Sequence, residues 1–319
     1  MAVNQTQIDI ERLLFETGAI RVAPQSKPFW YTSGTIGPYY ANTHFLLGGE
    51  AAANELLNEI EALLAGDRLL LPATVADRVS YAYGHSACYK TVVDYSVECL
   101  RSNVNMDDVD VVSGGARRDW FFSYLVARAF NKPHLTIFKD LSMALNEPVK
   151  YDGGSYGGGY GGSAPQADSR VGYAAATPVG AGGLAGMRCL HVSDIVTEAS
   201  SYERAWSPAL LKAGARIYTS LTILDRLQGG GAVLASLGIR HLSLAELDAG
   251  FFERAYAQGY IDAEQRGQLL GYIADPNGSM RRFLHENPDF IKNALTSGGK
   301  EAERARMCID SKVYGEISA

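Results

Sequence analysis

The chain has 319 residues, 47% of them hydrophobic and 20% charged, with 29 basic against 35 acidic residues and a net charge of −6. That balance suits a globular chain with a large core and excludes a disordered acidic tail or a fibrous repeat. An acidic chain with no basic stripe also argues against nucleic acid as the partner, and no apolar run is long enough to span a bilayer.

The opening MAVNQTQIDIERLL has no basic patch followed by an apolar run, so it does not read as a secretory signal. Cys88, Cys99, Cys189 and Cys308 are scattered without a C-x-x-C pair, which makes zinc and a disulfide framework unexpected. A cytoplasmic location is the default expectation.

In chain order, Ile8, Ile10, Leu13, Leu14 and Phe15 recur at helical spacing and Gly18 ends that helix. FWYTSGTIGPYYANTHFL, broken by Gly34 and Gly37-Pro38, reads as strand-turn-strand. Residues 49–64 read as an Ala/Leu/Glu helix, and 66–105 as mixed, helical mainly in its second half. Val109–Val112 is a buried strand, SGGARRD a loop and WFFSYLVARAF a helix. Lys132-Pro133 breaks it, and HLTIF is the next strand. This is one parallel β-α-β unit.

Residues 153–162, GGSYGGGYGG, cannot pack side chains of their own and read either as a surface linker or as a lid over a site. From Arg188 the pattern repeats: strand RCLHV, loop SDIVTEASS, helix YERAWSPALLKAG, strand RIYTSLTIL, then Asp225-Arg226. Two such units predict an α/β fold, a doubly wound and mainly parallel sheet, with ligands outside the carboxyl ends of the strands. Residues 247–319 read as a C-terminal helical extension broken near Pro276 and Pro288. The expected division is therefore 1–246, carrying a mainly helical insertion at about 48–108, and 247–319.

Two loops could hold an anion. The helix after SDIVTEASS offers unpaired N–H groups, and Ser200 with Glu203 fits a capping box. In SGGARRD two glycines would let backbone approach a ligand. Arg117 and Arg118 oppose the helix dipole unless an anion is present. His134 and His191 lie inside strand patterns and read as core histidines. Trp120, Phe121 and Phe122 read as helix packing.

Together these segments resemble the type I phosphoribosyltransferases, and among them the orotate enzymes. The resemblance is carried by LLFETGAI with FWYTSGTIGPYYANTHF, by VDVVSGGARRDWFFSYLVARAFNKPHLTIFKD, and by GMRCLHVSDIVTEASSYERAWSPALLKAGARIYTSLTILDRLQGG, about 110 residues in all. It implies the fold above with an N-terminal hairpin or hood, and the transfer of phosphoribosyl from phosphoribosyl pyrophosphate to orotate in pyrimidine synthesis. It further implies Mg²⁺ bound to the substrate rather than to a protein metal site, and a homodimer.

Residue by residue, the resemblance gives Asp194 to the ribose hydroxyls and to the charge developing on the sugar. It gives Thr197, Ala199, Ser200 and Ser201 to the 5′-phosphate, and Gly114, Gly115, Ala116 and Arg117 to pyrophosphate. Lys139 and Lys150 would add catalytic charge. Arg226 would grip the orotate carboxylate, and Ser33, Gly34, Tyr39 and Tyr40 would frame the base.

The chain departs from the family where Ser193 stands for the first of two acids, Glu198-Ala199 for a Thr-Gly pair, and Thr32 for a lysine. A carboxylate at Glu198 beside a phosphate would cost about 2–6 kcal/mol at an effective dielectric near 20. Ser193 and Glu198 favour one alternative, a nucleotide or phosphoribosyl pyrophosphate sensor without turnover, and a transferase for another base is a further one.

Overall fold

The computed structural model describes residues 5–24, 26–150 and 171–315. The glycine-rich stretch at 153–162 lies outside them. The chain falls into two compact units, Met1–Thr17 with Thr43–Glu246, and Gly18–Asn42 with Leu247–Ala319. The hairpin thus groups with the C-terminal helices.

The first unit is built on a seven-stranded sheet. Its strands are β1 (Val111–Gly115), β2 (His134–Ile137), β3 (Met143–Asn146), β4 (Thr177–Val179), β5 (Arg188–Val196), β6 (Arg216–Asp225) and β7 (Arg240–Glu246), in the order β4-β3-β2-β1-β5-β6-β7. The pairs β2–β1, β1–β5, β5–β6 and β6–β7 are parallel, while β3 and β4 add an antiparallel edge. The fold is α/β, as the repeated β-α-β pattern predicts. The edge strands and β7 were not separable in the sequence, because short runs such as MALN and TPV carry no period of their own.

The segment expected to be mixed is helical throughout: α1 (Gln5–Glu16) is followed by α2 (Glu50–Leu64), α3 (Leu71–His85) and α4 (Ala87–Asn103). Helix α5 (Trp120–Ala129) follows β1 and buries Trp120, Phe121, Phe122, Tyr124 and Leu125. A π-helical turn (Tyr202–Trp206) leads into α6 (Ser207–Ala213), and α7 (Gly230–Ser236) follows β6.

Strand alternation divides β5 between two buried layers. Cys189 joins the core made with Val111, Tyr202, Leu210 and Leu234. His191 and Ser193 share that parity: the His191 ring centroid lies 5.0 Å from that of Tyr202 and 4.4 Å from that of Trp206. Leu190, Val192 and Asp194 have the opposite parity and are buried too.

In the second unit the hairpin forms two antiparallel pairs, Ile20–Val22 with Tyr39–Ala41 and Phe29–Trp30 with Ile36–Gly37. Its helices are α8 (Ala249–Ala257), α9 (Ala263–Ala274), α10 (Pro276–Glu286), α11 (Asp289–Ser297) and α12 (Gly299–Ser311). Pro276 opens α10, where no intrahelical donor is needed. Trp30 stacks on Phe290 at 5.4 Å, Ile36 N–H donates to Tyr314 Oη at 2.9 Å, and Arg304 Nη1 donates to the Trp30 carbonyl at 2.9 Å.

Candidate functional site

The chain leaves β1 toward β2 on one side of the sheet and leaves β5 toward β6 and β7 on the other. The crevice where a doubly wound sheet binds ligands therefore lies between β1 and β5. The register shows where it opens. The β1–β5 ladder runs from Val111↔Cys189 to Ser113↔His191 and stops. Beyond it β1 still pairs with β2 through Gly115↔Ile137, and β5 with β6 through Val196↔Asp225. Both loops singled out in the sequence begin later than expected, since residues 113–115 and 193–196 are still strand and the chain turns only beyond them.

On the β1 side the two glycines are required by packing. A Cβ on Gly114 would sit 2.8 Å from Ser123 Cβ, and one on Gly115 would sit 2.5 Å from Trp206 Cε2. Helix α5 and the π-turn thus exclude a side chain there whether or not a ligand approaches. Trp120 Nε1 donates to the Gly114 carbonyl at 3.1 Å. The Ala116–Arg117 peptide is cis. Ala116 and Arg118 are exposed, and Arg117 pairs with Glu61 of α2.

On the β5 side the turn to the helix passes through Ala199 at φ +53°. The sequence argues against a positive φ at an alanine, since Cβ meets the following carbonyl at about 1–2 kcal/mol. The fold imposes it nonetheless, with Ala199 buried and its carbonyl accepting Glu203 N–H at 3.1 Å. The expected capping box does not form. The helix start carries no side-chain cap, and Ser200, Ser201 and Glu198 are exposed. Among the described residues the Glu198 carboxylate accepts no hydrogen bond from these amides. Arg226 N–H donates to the Val196 carbonyl at 2.9 Å, which sets Arg226 beside the same loop.

Ser193 faces away from Asp194. It hydrogen-bonds Thr222 Oγ1 at 2.7 Å and receives the Tyr202 hydroxyl at 3.0 Å, and Tyr202 also bonds Ser220 Oγ at 2.5 Å. Its hydroxyl thus belongs to a buried network below the π-turn.

Asp194 is 7% exposed and accepts Thr43 Oγ1–H at 2.8 Å. Its nearest acid is one the sequence reading missed. Asp119, at the start of α5, is 4% exposed, and its Oδ1 accepts Asp194 N–H at 2.9 Å. Burial pushes Asp194 well above the carboxylate range, and the neighbouring Asp119 charge pushes it further. Burial also raises Asp119, against the pull of two backbone N–H donors. An acid opening a helix looks in sequence like an ordinary cap, so nothing marked Asp119 out.

His191 Nδ1 bonds Ser113 Oγ at 2.8 Å, and its Nε2 faces Asp119 Oδ2 at 3.6 Å without a hydrogen-bond partner. Burial drives His191 down to about 3, so the ring is neutral. His134 is likewise a buried histidine, bonded through Nε2 to Ser123 Oγ at 2.9 Å. Ser113, His191 and Asp119 resemble a nucleophile triad in type alone. Ser113 has no exposed surface for a substrate to reach.

The remaining residues are more dispersed. Lys139 is exposed just after β2. Lys150 ends the strand Pro148–Lys150 and pairs with Val171. Ser33, Gly34, Tyr39 and Tyr40 belong to the second unit. There Tyr39 is fully buried, 5.7 Å by centroid from Phe252 and 5.8 Å from Tyr272. Gly34, at φ +81°, would meet α12 if it carried a Cβ. Tyr40 packs edge-on to Phe29 at 6.0 Å. Among the described residues no group of three or more His, Cys, Asp or Glu side chains could hold a metal ion, and no helix is long and apolar enough to cross a membrane.

No family model and no curated protein matches the chain. Solved structures similar to it include a Leishmania donovani UMP synthase, at 12% identity and a TM-score of 0.49 over 84% of this chain and 42% of that one. An orotate phosphoribosyltransferase from Aeropyrum pernix is similar at 19% identity and 0.43, over 77% and 98% of the two chains. An orotate phosphoribosyltransferase from Francisella tularensis is similar at 13% and 0.44, over 82% and 95%. The chain spans less than half of that UMP synthase. At these identities, and with TM-scores under 0.5, the likenesses carry no argument about activity, which rests on the chain's own residues.

Proposed function

We propose that the chain is a type I phosphoribosyltransferase that uses phosphoribosyl pyrophosphate, with orotate as the acceptor. The observation that carries this reading is the pairing of two loops at the β1–β5 divergence. One presents SGGAR backbone and the other an uncapped helix start, with Asp194 between them. A molecule with a phosphate at one end and a pyrophosphate at the other suits that spacing. The amides of residues 197–201 would take the 5′-phosphate, assisted by the helix dipole. Residues 114–117 would take pyrophosphate, with Lys139 and Lys150 adding charge.

Departure of pyrophosphate leaves an oxocarbenium-like sugar, and an ionised Asp194 beneath it would stabilise that charge. Mg²⁺ would arrive on the substrate's own oxygens, since Asp119 is engaged with backbone and Asp194 with Thr43. Arg226 would pair with the carboxylate of the base.

A second reading, a binding protein without turnover, is favoured by Asp194, whose burial beside Asp119 pushes its carboxyl up to about 7. One assay separates them: loss of orotate absorbance with phosphoribosyl pyrophosphate and Mg²⁺, repeated with Arg226→Ala. Turnover is expected. The variant should raise the orotate KM by about 10–100-fold, the worth of one charge-assisted bond, and leave the phosphoribosyl pyrophosphate KM within about twofold. Equal effects on both substrates would remove Arg226 from the base site. Binding without turnover on any base would establish the second reading.

A further inference from the structure

Among the described residues no ladder bond ties β1 to β5 beyond Ser113 and His191, yet one side chain joins the two loops there. Asp119 Oδ2 accepts Gly115 N–H at 2.9 Å, and Asp119 Oδ1 accepts Asp194 N–H at 2.9 Å. One oxygen serves each loop, and the carboxylate is buried.

The two acids are not equivalent. Asp119 accepts two backbone donors, which favour its anion, whereas Asp194 accepts one hydroxyl, from Thr43. Hydrogen bonds to a carboxylate favour its ionised form, so of the two acids Asp119 is the better held as an anion. The charged and titratable groups around the pair are few: His191 at 3.6 Å from Asp119 Oδ2, Arg118 on the same loop, and Tyr202 below. The histidine is neutral and the tyrosine hydroxyl is occupied by Ser193 and Ser220.

We propose that Asp119 is a positioning residue: its two oxygens set the spacing between the SGGAR loop and Asp194, and its buried charge keeps on Asp194 a shared proton that must leave before ribose hydroxyls bind. The assignment deepens the transferase reading and rests on it for its purpose. On binding, the Asp194 O–H bond breaks, the proton passes to solvent, and the ribose hydroxyls donate to the new carboxylate. No redox partner or co-reactant is involved.

The test is Asp119→Asn in the full chain, with two readouts. In the ligand-free protein, amide hydrogen exchange should quicken by about 10-fold or more at Gly115, Asp194 or both, with the remaining strands unchanged, because an amide side chain presents only one acceptor. Wild-type exchange at both positions would overturn the clamp. In turnover, kcat should fall by about 10–100-fold with the orotate KM unchanged. The acidic limb of the pH profile should also move to lower pH, since Asp194 loses its acidic neighbour. A limb that stays in place would overturn the shared proton, which a purely structural role does not require.

Should the variant fail to fold, carbon-13 titration of aspartate carboxyls in the wild type decides instead. Two carboxyls titrating independently near about 4 would refute the proposal. If the wild type neither binds phosphoribosyl pyrophosphate nor turns over, the transferase reading falls, while exchange and carboxyl titration still judge the clamp.

Discussion

Gly115→Ala should destabilise the protein through a contact between two elements that the sequence never suggested were neighbours. The added methyl would lie 2.5 Å from Cε2 and 2.8 Å from Nε1 of Trp206. Ordinary carbon contacts begin near 3.5 Å, so roughly 1 Å must be made up by the indole or by the loop. The indole has little room to retreat, because its ring lies 4.4 Å by centroid from buried His191 and 4.8 Å from buried Tyr202.

Overpacking of this kind costs about 1–3 kcal/mol, offset by about 0.4–1 kcal/mol from the stiffer unfolded chain, a net loss of about 1.3 kcal/mol at the middle of both ranges. Urea unfolding of the two proteins, read as a shift in midpoint at constant slope, measures it. Gly231→Ala is the control. Its Cβ meets nothing within 4 Å and it lies in α7, where alanine is the better helix former by up to about 1 kcal/mol. Trp206→Phe added to Gly115→Ala should recover part of the loss. If Gly115→Ala matches the wild type within about 0.5 kcal/mol, the packing assigned to the SGGAR loop is wrong.

Asp194→Asn should abolish most turnover and leave the fold intact. Its effect on stability depends on pH. Both acids sit above their unfolded values, so the folded protein binds the extra proton and the associated stability is lost as pH rises through the raised range. The variant lacks one of these groups, so its stability relative to wild type should climb with pH, by at most about 1.4 kcal/mol per unit. Buried His44, His134 and His191 are depressed and act in the opposite direction, but they are common to both proteins and cancel. A pH-independent difference in unfolding free energy would contradict the shared proton. Ala199→Gly should raise stability by up to about 1 kcal/mol by relieving the positive φ, whereas Ala199→Val should lower it by more than that. Thermal unfolding of both variants checks the turn.

The legible part of this protein was its periodic part. Val111-Val112, Leu135 and Ile137, and Leu190 and Val192 are buried on both sides of the sheet, and continuous apolar runs of that kind mark parallel strands whatever lies around them. The helix at 120–129 was equally plain, because an almost wholly apolar helix must be interior. What stayed hidden was non-periodic or non-local. MALN forms a strand because β2 offers an edge, and TPV because MALN in turn offers the next. Residues 66–105 mix polar and apolar positions that resolve into faces only once α3 and α4 pack. The same holds at the site. Loops after strands announce a place for a ligand, but the bond from Asp119 to Asp194 N–H joins residues 75 positions apart. Hydrogen bonds between loops leave no spacing to read.

The departures from the family pattern bear unequally on function once they are placed. Ser193 looked in the sequence like a lost acid. In the fold it faces Thr222 and Tyr202, in a layer where a carboxylate would be buried without a cation. A serine there satisfies the packing of the π-turn, and the missing charge is no measure of lost catalysis. Glu198 is exposed, so its charge would cost a phosphate bound on the proposed site less than close apposition would. Ala199 keeps the backbone turn that glycine would give. The feature that bears most on turnover against binding alone is therefore one the sequence did not show, an acid at 119 whose buried charge raises Asp194. An enzyme can tolerate that arrangement only if its substrate displaces the proton. A sensor has no such requirement. The pH dependence of turnover, set against the pH dependence of binding, therefore separates the two readings at the residue where they differ.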